Sequence, residues 1–255
     1  IKQGKVIASG KNVTIPSNTV VVDLEGKFIY PSFIDSYTNF GVKNPERTSG
    51  GRRSPQYDAS RDGFYWNDHI MPEKNAIDHF TYDSKTAKAM RKEGFGLVNT
   101  HSMDGIARGT GLLVALNDQG NQAMRIIDDA LAQHYSFSKS VTSRQSYPGS
   151  LMGAMALLRQ VYHDAHWYEK GNIPTKDRSL EALLKNKNKV SIFEAGNKSN
   201  NLRAAKIGNQ FGINYLIVGG GDEYEMIQQT NATNASYIIP LNFLFAYDVS
   251  NLYMV

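Results

Sequence analysis

Three β-rich runs in the last third of the chain, Val190–Glu194, Ile213–Val218 and Ser236–Pro240, begin 23 residues apart each time. Segments with helical pattern stand around them: Ser179–Lys185 ahead of the first, then Lys198–Phe211 and Asp222–Gln229 between the others. Short strands alternating with helices at this interval argue for repeated βα units and a parallel sheet. The fold class is therefore α/β. The spacing alone leaves a closed barrel and an open doubly wound sheet both standing.

Upstream, Leu151–Lys170 is the clearest helix, with Leu151, Met155, Leu158, Tyr162 and Ala165 recurring at spacings of three and four. His163 and His166 could hold a metal by their spacing, but their rotation away from the apolar stripe reads as exposure. Tyr82–Lys92 is a second helix, with Asp83 or Ser84 as cap and Gly94 as stop. Phe95–His101, Gly111–Leu116 and His134–Ser138 read as strands, and Arg108-Gly109-Thr110-Gly111 as a plain turn. Between Val42 and Glu73 there is no period. The aromatics there, Tyr57, Phe64, Tyr65 and Trp66, favour a loop packed over the mouth of the sheet, with substrate stacking as the sharper alternative.

Composition narrows the function classes. With 28 basic and 24 acidic residues in 255, the net charge is +4. The basic runs Gly51-Arg52-Arg53 and Lys185–Lys189 sit among polar residues, so no nucleic-acid footprint is expected. The absence of cysteine removes disulfides, thiol nucleophiles and zinc–thiolate sites. No apolar run approaches the roughly 20 residues of a membrane span. A soluble protein is expected. No signal peptide is visible, yet the chain starts at Ile1 without Met, which leaves the compartment open, export included. Gly149-Ser150-Leu151-Met152-Gly153 has its serine one place early for a nucleophile elbow. Gly219-Gly220-Gly221-Asp222 opens a helix after a strand, but Tyr224 takes the third glycine place of a dinucleotide turn. These glycines could still seat an anion at the helix start.

The stretch Gly26–Gly41 (Gly-Lys-Phe-Ile-Tyr-Pro-Ser-Phe-Ile-Asp-Ser-Tyr-Thr-Asn-Phe-Gly) is a turn, an apolar segment and a strand crowded with polar side chains at its carboxyl end. By alternation Asp35, Tyr37 and Asn39 share a face. The stretch resembles the opening barrel strand of the amidohydrolase superfamily, imidazolonepropionase-like members included, with the pattern G-K-x-x-x-P-G-x-x-D-x-H-x-H. The resemblance implies an incomplete (β/α)8 TIM-type barrel over residues 31–255. Residues 1–30, with strands at Lys5–Ser9 and Val20–Asp23, become remnants of a small flanking β-sandwich. It also implies a hydrolase of non-peptide C–N bonds in amides and cyclic amides, dependent on zinc or another divalent metal.

The metal ligands of that pattern are missing. Tyr37 and Asn39 stand at the two strand histidines, Ser32 at a glycine, Glu194 at a third histidine, and Gly219 or Gly220 at a fourth. The expectation is a relic pocket of Tyr37, Asn39, Gly219, Gly220 and Asp222, with no metal and no cofactor in this segment. His101, Glu194 and Asp35 are weak catalytic candidates. The strand count after Pro31 falls short of eight, so the chain reads as a segment of a longer polypeptide, and the missing histidines make it a non-catalytic scaffold. Its partner would be the remainder of the same polypeptide or a second amidohydrolase-like chain, with homo-oligomerisation left open. The alternative is a small anionic ligand-binding module at the glycine turns.

Overall fold

The computed structural model describes residues 1–2, 5–48, 61–171 and 175–240. The chain divides into two units, Ile1–Pro31 and Ser32–Val255. In the first, the strands expected at Lys5–Ser9 and Val20–Asp23 do not form. Its one ladder contact among the described residues is an isolated bridge between Lys2 and Lys5. Val20, Val21 and Val22 stay exposed. Short β-prone runs gain too little from pairing alone to hold a sheet without a hydrophobic face to bury.

The second unit opens with β1 (Phe33–Thr38), α1 (Ser84–Lys92) and β2 (Phe95–Thr100). The Asp83 carboxylate caps α1 by accepting from the Lys85 and Thr86 amides. There follow β3 (Ala107–Thr110), β4 (Leu112–Ala115), α2 (Gln122–Arg125), β5 (Ile126–Asp128) and β6 (Ala132–Ser136). The last part holds α3 (Leu151–Glu169), α4 (Arg178–Lys185), β7 (Val190–Glu194), α5 (Lys198–Phe211), β8 (Tyr215–Val218), α6 (Ile227–Ala232) and β9 (Ser236–Ile238). The strand–helix cadence of the sequence is present at its expected positions. The final helix is split, because Glu223–Met226 forms a 3-10 turn ahead of α6.

Two sheets result, ordered β1-β2-β4-β5 and β3-β6-β7-β8-β9. β1 and β2 are parallel, as are β6, β7, β8 and β9. The strands expected to be uniformly parallel are interrupted in the middle. β3 and β4 are separated by Gly111 alone; β3 runs antiparallel to β6, and β4 antiparallel to β2. One bent run from Ala107 to Ala115 thus belongs to both sheets and joins them. Arg108–Gly111 is accordingly no surface turn. Among the described residues the strands do not close into a barrel.

The outer face of β6–β8 is covered by helices. Tyr135, Phe193, Tyr215 and Ile217 pack there with Leu157, Leu158 and Val161 of α3, Leu180 and Leu183 of α4, and Ile207 of α5. The opposite face carries a smaller apolar group, Ala132, Ile192 and Val218, with Tyr37 and Ile238 against it. Of the loop aromatics, Tyr65 is buried in the outer core and donates to Asp164 Oδ2 at 2.6 Å. Phe64 lies beneath the guanidinium groups of Arg61 and Arg178. Packing accounts for them; Tyr57, Arg52 and Arg53 fall outside the described residues. His163 and His166 are exposed, as expected.

Candidate functional site

Five side chains from five different stretches meet on the inner face. Tyr37 comes from β1, His101 from just after β2, Arg108 from β3, His134 from β6 and Glu194 from the end of β7. Glu194 shares its face of β7 with Ile192, which belongs to the inner apolar group, and so rises beside Tyr37.

Arg108 is the centre of the group. It is 2% exposed, and its Nη2 is 2.7 Å from Glu194 Oε2. Its Nη1 donates to Tyr37 Oη at 3.1 Å and lies 3.5 Å from His101 Nε2, while Nε donates to Gly105 O at 3.1 Å. Every nitrogen of the guanidinium is thus engaged, as a charge removed from water requires. The Tyr37 hydroxyl also hydrogen-bonds Glu194. Burial, more than any neighbouring charge, pushes the Tyr37 phenol far above its usual range, so it stays neutral and can act as a donor.

Behind this ion pair His101 and His134 stack face to face, ring centroids 3.7 Å apart and planes 7° from parallel. Tyr37 packs on His101 at 4.5 Å. Both histidines are fully buried. Burial first, then the Arg108 charge, lowers His101 to about 3. Burial likewise lowers His134 well below its ordinary value, helped by His101 and Arg108. Both rings are neutral at physiological pH. Nδ1 of His101, both nitrogens of His134 and Oδ1 of Asn99 have no hydrogen-bond partner among the described residues. Buried polar atoms are usually hydrogen-bonded, and this cluster gathers four that are not.

The other candidates from the sequence are not among these five side chains. Asn39 falls beyond the end of β1 and is exposed. The ladder with β2 shifts register between Asp35 and Thr38, which breaks the alternation that was to place Asp35, Tyr37 and Asn39 together. Asp35 is half-buried, its carboxyl raised by burial and partly relieved by the Tyr37 amide that Oδ1 accepts. Asp222 turns to the start of α5, where Oδ1 accepts from Lys198 N at 2.8 Å.

The glycine turn holds an anion of its own. Glu223, 6% exposed, accepts through Oε1 from Gly220 N and Asn201 Nδ2, both at 2.8 Å. A Cβ on Gly219 would stand 1.8 Å from that oxygen, so the bare glycine is what admits the carboxylate.

A cavity of about 440 Å³ opens over Glu194, with Lys139, Ser150 and Asn200 in its wall. Glu194, whose carboxylate is paired with Arg108, is its acidic lining residue. The arrangement can neutralise a carboxylate and donate hydrogen bonds. Glu194 is the carboxylate of the group, and both of its imidazoles are fully buried. The donor set does not fit a divalent metal. Tyr37 and Glu194 are already turned on a guanidinium, whose charge would repel a cation between them. Among the described residues no three His, Cys, Asp or Glu side chains converge to hold one.

No protein-family model matches the chain, and no curated protein matches it. Among solved structures it is similar to an amidohydrolase from Thermotoga maritima MSB8, with a TM-score of 0.73 at 19% sequence identity. The fold is amidohydrolase-like. The likeness covers 98% of this chain and 66% of that one, so the chain spans just under two thirds of the neighbour's length. At this identity the likeness speaks for the fold alone.

Proposed function

We propose that this chain is a degenerate amidohydrolase segment, imidazolonepropionase-like in ancestry. In this reading it is metal-free and non-catalytic, and acts as a scaffold for the rest of a protein that hydrolyses non-peptide C–N bonds. One observation carries the reading. The Arg108 guanidinium is held by Tyr37 and Glu194, two positions at which the resemblance expects metal-binding imidazoles. In this reading a tethered cation takes the place of a bound one, and it neutralises Glu194 without offering an open coordination position or an activated water.

The scaffold role is supported by β1, an outer strand of its sheet among the described residues, where Phe33 and Ile34 are 64% and 53% exposed. Apolar side chains at an unpaired strand edge are a surface that another part of the protein, or a second such chain, could cover. Against an anion-binding role for the Gly219–Gly221 turn stands Glu223, which already fills it.

Glu194→Gln in the full-length protein tests the reading, with activity measured on cyclic amides and dipeptides. A pure scaffold keeps its rate within a few-fold. If the carboxylate is a working base or ligand, the rate falls on the order of 100-fold with folding intact, and the proposal fails.

A further inference from the structure

A second cavity, also of about 440 Å³, has Arg108 and Gly109 in its wall, and Arg108 is the one member of the Tyr37–Glu194 group that lines it. Its wall carries Lys43, Lys74 and His79, all exposed, with Asn44, Thr81 and Ser102 among the other lining groups. Two close backbone approaches set these residues in place. On one lip Gly41 lies so near the next segment that a Cβ would stand 2.5 Å from Thr81 O and 2.6 Å from the Phe80 ring. Thr81 N donates to Gly41 O at 2.8 Å, and Val42 bridges Phe80. On the other lip a Cβ on Gly109 would stand 1.6 Å from Lys74 O. Asn75 Oδ1 accepts there from Thr110 N and Thr110 Oγ1 at 3.2 and 2.8 Å. The backbone beneath Lys43 and Lys74 is therefore fixed by contacts that their own side chains do not make.

The charge in this cavity is unbalanced. The ion pairs among the described residues use Arg61, Arg91, Arg108, Lys176, Lys187 and Lys198, and neither Lys43 nor Lys74. Asp104 is the carboxylate in the wall. It is buried and committed, accepting from Ser140 Oγ at 2.6 Å and Val141 N at 2.8 Å. Ammonium groups gathered round a concave wall raise the local potential and concentrate anions. The volume falls within the range of small-molecule sites.

We propose that this cavity binds a small molecule with a doubly charged oxyanion head, a phosphate monoester or a dicarboxylate, through Lys43 and Lys74. The head group would take charge-assisted hydrogen bonds from the two ammonium groups and neutral ones from Thr81 and Ser102.

Calorimetric titration of the full chain at low ionic strength tests this, with inorganic phosphate and succinate as separate probes. Saturable binding of at least one probe is expected, weakening as sodium chloride is raised. Phosphate without succinate would assign a phosphate ester, the converse a dicarboxylate. Lys43→Gln and Lys74→Gln should each weaken binding about tenfold. Lys85→Gln, on exposed α1, should leave it unchanged. All three side chains are exposed, so a thermal melt should show folding intact. No saturable binding of either probe, or an equal loss with Lys85→Gln, would overturn the proposal.

Discussion

The two faces of the β6–β7–β8 strands are built on opposite principles. The outer face, under α3, α4 and α5, is aromatic and aliphatic, and its polar atoms answer one another: the hydroxyls of Tyr162 and Tyr215 are hydrogen-bonded, and Tyr135 pairs with Tyr162 and Ser191. The inner face carries an ion pair, two stacked neutral imidazoles and several buried polar atoms without partners. Both faces are buried, so burial alone does not separate them. Closure of the hydrogen-bond inventory does. The outer face closes its polar groups on one another, while the inner face gathers an ion pair and two imidazoles at one place.

This contrast can be broken at either face. The largest loss is expected outside, from Phe193→Ala. Phe193 is fully buried against Tyr135 and Tyr215, and its truncation should cost about 3–5 kcal/mol in chemical denaturation. Arg108→Met comes next, at about 2–3 kcal/mol. It leaves Glu194 without its cation, but that carboxylate is 35% exposed and water recovers part of the loss. If Arg108→Met proved neutral, the ion pair would have no structural role.

Much of this was legible in the sequence. The evenly spaced strands, the α3 stripe and the cap of α1 come from local rules that the tertiary structure reinforces. Glu194 was visible because it ends a strand at a place where the resemblance expects a histidine. Arg108 and His134 were not. In Arg-Gly-Thr-Gly the glycines suggest a turn, and only the distant Tyr37 and Glu194 make a buried guanidinium tolerable there. Every residue of β6 is buried, so His134 shows no alternation to pick it out. Asn39 falls outside the group for the complementary reason: the register shift in β1 cannot be seen without its partner strand.

The faces should also separate by pH. The inner imidazoles have lowered values, His101 to about 3, and elsewhere buried His69 is held at about 4, chiefly by burial and then by Lys139. Their neutral forms favour the fold fully above about pH 6.5, and that contribution is lost as pH falls through the lowered values. Stability should drop by up to about 1.4 kcal/mol per pH unit for each such group. Between pH 6.5 and 5, before carboxylates titrate, His101→Gln should flatten the slope. The outer phenols act at the other end, with burial raising Tyr135 to about 12. Their contribution is intact below about pH 10 and lost as pH rises through the raised values. Tyr162→Phe should soften that alkaline loss, and near neutrality should cost only about 1 kcal/mol for the broken hydroxyl contact.

The central claim is that Arg108 stands as a fixed cation between Tyr37 and Glu194. Anomalous diffraction at the zinc edge, from crystals of the full-length protein grown with zinc, tests it most directly. The account predicts guanidinium density bridging Tyr37 and Glu194, with no anomalous peak within coordination distance of either. A stoichiometric zinc peak on Glu194, with Arg108 displaced, would contradict it.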